Sequence, residues 1–144
     1  MTKAFAIDDC ALDLGAMSSG REFEWIRGHR LTLGSFSDPE YAKALEELQK
    51  PHRGILAAAP DSEEAKRIRR DTADRAISRV IVKRWTRHGE DLEVTPESVY
   101  QHLCDPRFAH LREFIVLHAA SHFLTEAAAD ETDAGNSEGT SAGG

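Results

Sequence analysis

The chain has 144 residues, of which 40% are hydrophobic and 30% are charged, and its net charge is −7. This length fits one domain, and no apolar run approaches the roughly 20 residues that are needed to cross a bilayer. Asp8, Asp9 and Asp13 near the N-terminus argue against a secretion signal, so we expect the chain to stay in the cytoplasm.

The first predicted element is a β-hairpin that follows a loose leader over residues 1–20. Apolar side chains occupy alternate positions at Phe23, Trp25, Leu31 and Leu33. A period of two is typical of a half-buried strand, and Gly28 between the two runs can adopt the positive φ of a tight turn. An isolated hairpin is marginally stable in water, so this one must pack on helices or on another chain.

Helix signals dominate the sequence after the hairpin. Asp38 and Pro39 form a typical helix start. A second start at 61–64 precedes apolar residues at steps of three and four, which is the period of an amphipathic helix. This pattern predicts one helix of about 25 residues that contains Trp85 and ends at Gly89.

Two further helices are predicted after the long one. Thr95 and Pro96 supply a cap and a first-turn proline for one of them, and Asp105 and Pro106 do the same for the other. The second of these helices is apolar on one broad face. Both starts are therefore predicted from capping chemistry and from periodicity together.

The end of the sequence is acidic and poor in apolar residues. Residues 128–144 contain no large apolar side chain that could offset the entropy of ordering, which predicts a disordered acidic tail. The expected fold is mainly α, with about four helices and a small N-terminal β-hairpin. Residues 21–127 are expected to form the one folded domain.

Residues with catalytic or metal-binding chemistry form no recognisable site in the sequence. His118 and His122 are four residues apart, but the acid of the usual zinc-protease pattern is absent from their spacer. His102 and Cys104 are two apart on a predicted helix and point in different directions, and both Cys10 and Cys104 are expected to be reduced. We therefore expect no enzyme, no metal and no cofactor, and histidines that pack on a partly buried helix face.

Positive charge is concentrated in one part of the chain. Nine of the 18 Lys and Arg residues lie between residues 66 and 87, where they could contact phosphates. Asp71 and Asp74 interrupt the row, and Asp71 stands four residues before Arg75 in the stabilising order. A small nucleic-acid-binding regulator is therefore an alternative function, and a solvated helix face is the simpler interpretation.

Three short motifs follow one another in this sequence. The hairpin over residues 23–33 comes first, and a Pro-x-Tyr helix start at residues 39–41 comes second. The third is the passage 84–97, interpreted as a helix that ends in Trp85, followed by a glycine, a polar link and a Thr-Pro-Glu restart. This order resembles the tail assembly chaperones of long-tailed bacteriophages, and the resemblance covers residues 20–126.

The resemblance implies a non-catalytic protein of the infected host cytoplasm. Such chaperones bind the long helical tape-measure protein and keep it soluble until tail-tube subunits replace them. We expect self-association, no membrane partner and apolar contacts with the client. The candidate contact residues are Trp25, Leu31, Leu33, Phe36, Trp85, Phe114 and Phe123. A structural virion protein, such as a connector or tail-completion protein, is the alternative within the same class.

Overall fold

The computed structural model describes residues 4–125, which form a four-stranded antiparallel sheet packed against helices. The strands are β1 Arg21–Glu24, β2 His29–Leu33, β3 Val82–Arg87 and β4 Glu90–Asp91, in the spatial order β1-β2-β3-β4. The α-helices are α1 Leu14–Ser19, α2 Pro39–Gln49, α3 Arg53–Ala58, α4 Glu63–Ala76, α5 Pro96–Leu103 and α6 Ala109–Ala119. The predicted acidic tail, 128–144, lies outside the described residues.

The expectation of a mainly α protein with only a small N-terminal hairpin is wrong. The hairpin itself is confirmed, but β1 and β2 are half of a larger sheet that β3 and β4 complete. Strand β2 is an inner strand, with Leu31 opposite Trp85 and Leu33 opposite Val82 across the β2–β3 ladder. The hairpin therefore gains its missing support from strands far away in the sequence.

The predicted helix of about 25 residues, which starts at 61–64 and ends at Gly89, is also wrong in its second half. Helix α4 ends at Ala76, a π-helical turn spans Ile77–Ile81, and the chain then continues as β3. Ile77, Val80, Ile81 and Val82 are branched at Cβ. Such side chains lose rotamer freedom in a helix and fit a pleated surface well. Their apolar spacing fits the helical period, but pairing with β2 decides the conformation.

Two tight turns lie side by side at one end of the sheet, which we call the turn end. Arg27 and Gly28 connect β1 to β2 with φ values of 52° and 80°. His88 and Gly89 connect β3 to β4 with φ values of 50° and 82°. Two central residues with positive φ are typical of the type I′ turn, which matches the twist of a hairpin. Gly89 therefore belongs to a hairpin turn and does not end a helix.

The predicted helix starts are confirmed by their hydrogen bonds. The Asp38 carboxylate accepts a bond from the Glu40 backbone N–H at 3.0 Å, with Pro39 in the first turn. Thr95 and Ser98 form a reciprocal capping box at the start of α5. Asp105 caps a 3-10 turn, Pro106–Phe108, that leads into α6. These contacts satisfy N–H groups that would otherwise lack a partner at a helix start.

The main core lies between the sheet and the helices that follow it. Its buried members are Leu31, Leu33, Ile77, Ile81, Val99, Leu103, Leu111, Ile115 and Ala119. Beside it Asp74 of α4 is only 3% exposed. Arg112 of α6 donates to its carboxylate through Nε at 2.9 Å, and the Arg70 Nε lies 3.8 Å away. A buried carboxylate is tolerated when such partners replace water, so this ion pair joins α4 to α6.

Part of the segment 1–20, which we expected to be a loose leader, is attached to the fold. Met17 of α1 is buried. The Asp13 backbone N–H donates to the Phe123 carbonyl at 2.6 Å, and its carboxylate lies 3.9 Å from Arg21 Nη2. These contacts hold the base of the segment beside the start of β1, at the sheet end opposite the two turns.

Candidate functional site

A cavity of about 310 Å³ opens at the turn end of the sheet, between β2, β3 and the α5–α6 region. Its apolar wall is formed by Trp25, Trp85, Leu92, Val94, Val99, Phe108 and Leu111. Its polar wall is formed by His29, Glu93, Ser98 and His102. This volume lies at the lower end of the range for small-molecule sites, and a mostly apolar lining is typical of sites that accept apolar groups. We call it the aromatic cavity.

Trp85 and His29 shape the floor of the aromatic cavity through a hydrogen bond between β3 and β2. The Trp85 indole Nε1–H donates to His29 Nδ1 at 2.9 Å. Since Nδ1 accepts, the proton of a neutral His29 must reside on Nε2. Burial lowers the pKa of His29, and the positive charges of Arg87 and His88 lower it further. His29 is therefore kept in the neutral form that can accept from the indole.

Aromatic rings continue from the cavity along the face between β1 and α6. The Trp25 ring lies 6.0 Å from the Trp85 ring, 5.2 Å from that of His110 and 5.9 Å from that of Phe114. His118 lies 4.5 Å from the Phe114 ring. Such offset and edge-on arrangements are favourable for aromatic pairs. Together these rings fix Trp25 as a rigid wall of the cavity.

His118 takes part in packing between the strand and the helix. Its ring stacks on Phe23 of β1 with a centroid separation of 4.3 Å. Burial lowers the pKa of His118, so the neutral imidazole is favoured there. His122 is exposed. Among residues 4–125, no group of three or more His, Cys, Asp or Glu side chains is arranged to hold a metal ion.

The seven candidate contact residues occupy two kinds of environment. Leu31, Leu33 and Phe123 are at most 1% exposed, so they offer no side-chain surface to a second molecule in this conformation. Four are partly buried and pack against the core, namely Trp25, Phe36, Trp85 and Phe114. Of these, Trp25 and Trp85 line the cavity together, although 60 positions separate them in the sequence.

Sequence reasoning missed several residues that complete the cavity. In the sequence, His29 follows Gly28 in the predicted hairpin turn, and Phe108 lies on the apolar face of the last predicted helix. Leu92 and Val94 predict a short extended link into the next helix, but nothing in that pattern places the link beside a cavity. In the predicted long helix, Trp85 would lie in a different element from His29 and would have no reason to contact it. Only the β2–β3 pairing brings these two side chains into contact.

A second charged cluster joins α4 to α5 away from the cavity. The Tyr100 hydroxyl donates to Asp71, and the Arg75 Nε donates to the same carboxylate at 3.1 Å. The Arg75 guanidinium carbon also lies 4.0 Å from the centroid of the Tyr100 ring. Burial alone would raise the pKa of Asp71, but the hydrogen bonds from Tyr100 and Arg75 outweigh it and hold this pKa below its usual range. The hydrogen bond to Asp71 also raises the pKa of Tyr100. Because Asp71, Arg75 and Tyr100 are partners of one another, the cluster is a structural link between α4 and α5.

The comparisons with other proteins add no assignment to this geometry. No protein-family model, no curated protein and no solved structure matches the chain. In the described part of the chain, no helix is long and apolar enough to cross a membrane.

Proposed function

We propose that this chain is a tail assembly chaperone of a long-tailed bacteriophage. It binds the tape-measure protein in the host cytoplasm without catalysing a reaction, and tail-tube subunits later replace it. The order of the hairpin, the Pro-x-Tyr helix start and the passage 84–97 in the sequence supports this proposal, although Trp85 in that passage lies on strand β3 and not at a helix end. The structural observation that carries it is the solvent-open aromatic cavity, because it offers apolar surface at which a client side chain can dock.

The expected client chemistry follows from the shape and lining of the cavity. An amphipathic helix binds such a site by inserting one large apolar side chain and laying its apolar stripe over the rim. Leu92 at the rim is 41% exposed and offers the first contact. Tryptophan walls favour this role because Trp side chains are enriched among the residues that dominate binding energy. A tape-measure segment bound in this way would have its aggregation-prone stripe covered.

Co-expression with the tape-measure protein tests the proposal directly. The wild-type chain should keep the client in the soluble fraction, and the two should co-purify. Leu92→Arg places a charge at the cavity rim and should abolish both effects while the chain stays folded. Leu117→Arg is the matched control, because Leu117 is 67% exposed on α6 and does not line the cavity. An insoluble client in the presence of the wild-type chain would refute the function, and an active Leu92→Arg variant would refute the site.

A further inference from the structure

Residues 4–13 form an N-terminal arm that contains a 3-10 turn, Asp8–Cys10, and carries uncovered apolar side chains. Phe5 is 88% exposed and Ile7 is 54% exposed. The base of the arm is fixed at Asp13, beside Arg21 and Phe123. Single exposed apolar residues are common, but two large ones on a short arm with a fixed base suggest a docking segment.

The arm and the aromatic cavity lie at opposite ends of the sheet. Arg21, next to the base of the arm, pairs with Leu33, whereas the cavity residue His29 lies at the turn end of β2. The base of the arm therefore lies at the end of the sheet that is remote from the cavity of the same molecule. A second molecule can present its cavity to this arm without any change in either fold.

The charges at the two ends are complementary. The arm contains Asp8 and Asp9 and no basic residue. At the turn end, Arg27 and Arg87 make no ion pair within 4.0 Å in the described residues. The pKa of His29 there is lowered first by burial and then by the positive charge of Arg87.

Carboxylates also lie at the turn end, and they limit where an acidic arm can lie. Glu24 at the end of β1 lies 3.8 Å from Arg30, and Asp91 of β4 pairs with Arg84. Glu93 lines the cavity, and Glu90 is the first residue of β4. Both follow the second turn, whereas Arg27 lies in the first turn, between β1 and β2. The favourable approach for an acidic arm is therefore over the first turn, beside Arg27.

We propose that the N-terminal arm of one copy of this chain docks in the aromatic cavity of a second copy. Phe5 enters the cavity and Ile7 covers its rim, and both are thereby removed from water. Asp8 and Asp9 lie beside Arg27. The cavity has about ten times the volume that one water molecule occupies in the liquid, which is enough for one aromatic side chain.

This contact is head-to-tail, because different surfaces of the two copies meet. Such an interface leaves a free arm at one end of each pair and a free cavity at the other, so it builds rings or open arrays. The arm and a client side chain would occupy the same cavity, so a client that binds there must displace the arm. The self-association is a property of the chain alone and does not rest on the proposed chaperone function.

Sedimentation velocity and tryptophan fluorescence of the purified full-length chain test the proposal. Trp25 and Trp85 are the two tryptophans of the whole sequence and both line the cavity, so their emission reports its occupancy. We expect the sedimentation coefficient to rise with concentration and the emission to shift to shorter wavelength in parallel. Phe5→Ala/Ile7→Ala should weaken association at least about tenfold. Leu117→Ala should leave it unchanged.

A charge exchange identifies the two surfaces that meet. Asp8→Arg/Asp9→Arg and Arg27→Asp should each weaken self-association about threefold, which is the range for exposed charge pairs. A mixture of the two variants should regain the lost affinity, because the basic arm of one then meets the acidic rim of the other. Aspartate is chosen at position 27 because it tolerates the positive φ found there. Circular dichroism melting verifies that each variant is folded.

Three results would overturn the proposal. They are a wild-type chain that stays monomeric at all concentrations, an arm variant that associates like wild type, and a mixture that fails to regain affinity. If the arm variant changes the emission of a chain that is monomeric throughout, the arm occupies its own cavity, which also contradicts docking between copies. None of these results depends on the tape-measure protein, so they leave the co-expression outcome to decide the function separately.

Discussion

His29 and His118 are both kept neutral by their surroundings. Burial is the largest cause of the lowered pKa at each, and His29 also feels the charges of Arg87 and His88. An unfolded histidine titrates near pH 6.5, so the unfolded chain binds more protons than the folded chain between that pH and the lower folded pKa. In this window stability is lost as the pH falls.

We therefore predict that the free energy of unfolding decreases as the pH falls from about 7 towards 5. The double variant His29→Gln/His118→Gln should flatten this dependence, and urea denaturation at a series of pH values measures it. Asp71, Asp91 and Asp105 also have lowered pKa values, but their stabilisation is lost only below about pH 4. If the free energy of unfolding of the double variant changes with pH above pH 5 as steeply as that of the wild type, groups other than these two histidines cause the dependence.

The buried Asp74 carboxylate depends on Arg112 more than on any other side chain. The Nε of Arg112 lies 2.9 Å from Oδ1, whereas that of Arg70 is 3.8 Å from Oδ2. Arg112→Ala would leave a charge that is only 3% exposed with one weak partner. Loss of one member of a buried pair typically costs about 3 kcal/mol, and we expect a decrease of this size in the free energy of unfolding.

Arg107→Ala is the matched control for this measurement. Arg107 also pairs with an aspartate, Asp105, at 2.7 Å, but its side chain is 82% exposed. Solvent screens such a pair strongly, so the denaturation midpoint of Arg107→Ala should stay close to that of the wild type. Equal losses for the two arginine variants would contradict a special role for the buried pair.

Two glycines with positive φ, Gly20 and Gly89, differ in the space that is available for a Cβ atom. Gly20 links α1 to β1 with φ 93° and ψ 163°, a conformation that is nearly exclusive to glycine. A Cβ there would lie 2.8 Å from Thr32 Cγ2 and 3.1 Å from the Leu33 carbonyl oxygen. Gly20→Ala should lower the free energy of unfolding by about 3 kcal/mol.

Gly89→Ala is the control, because φ there is 82° and the space around the glycine is open. This variant should lower the free energy of unfolding by only about 1 kcal/mol. Thermal unfolding of the two variants side by side decides this, and an equal effect would contradict the steric argument.

Local chemistry allowed the helix starts to be predicted, but long-range pairing could not be read from the pattern. Asp38, Thr95 and Asp105 act through neighbours within three residues, so their roles are visible in a short stretch of sequence. The segment 77–87 has apolar residues at helical spacing and many branched side chains, and the two signals disagree. Its pairing with β2 depends on residues that lie 49 to 58 positions away, and that pairing forms the aromatic cavity.

At the scale of the whole molecule, the basic region of the sequence is divided among three elements. Its nine Lys and Arg residues fall on α4, on the π-helical turn and on β3. Several of them pair with carboxylates, as in Lys66–Glu63, Arg67–Glu64, Arg70–Asp74, Arg75–Asp71 and Arg84–Asp91. A phosphate backbone would have to displace these partners, which favours a protein client over nucleic acid.

A chaperone and a structural tail protein differ in where the chain is found after assembly. A chaperone that shields the apolar stripe of the tape measure is displaced once tube subunits bury that stripe, because both compete for the same surface. We predict that mass spectrometry detects this chain readily in the lysate of infected cells and not in purified virions. The tape-measure protein, which must be detected in both, is the internal control. If the chain is instead present in virions in a fixed ratio to the tape measure, it is a structural component of the tail.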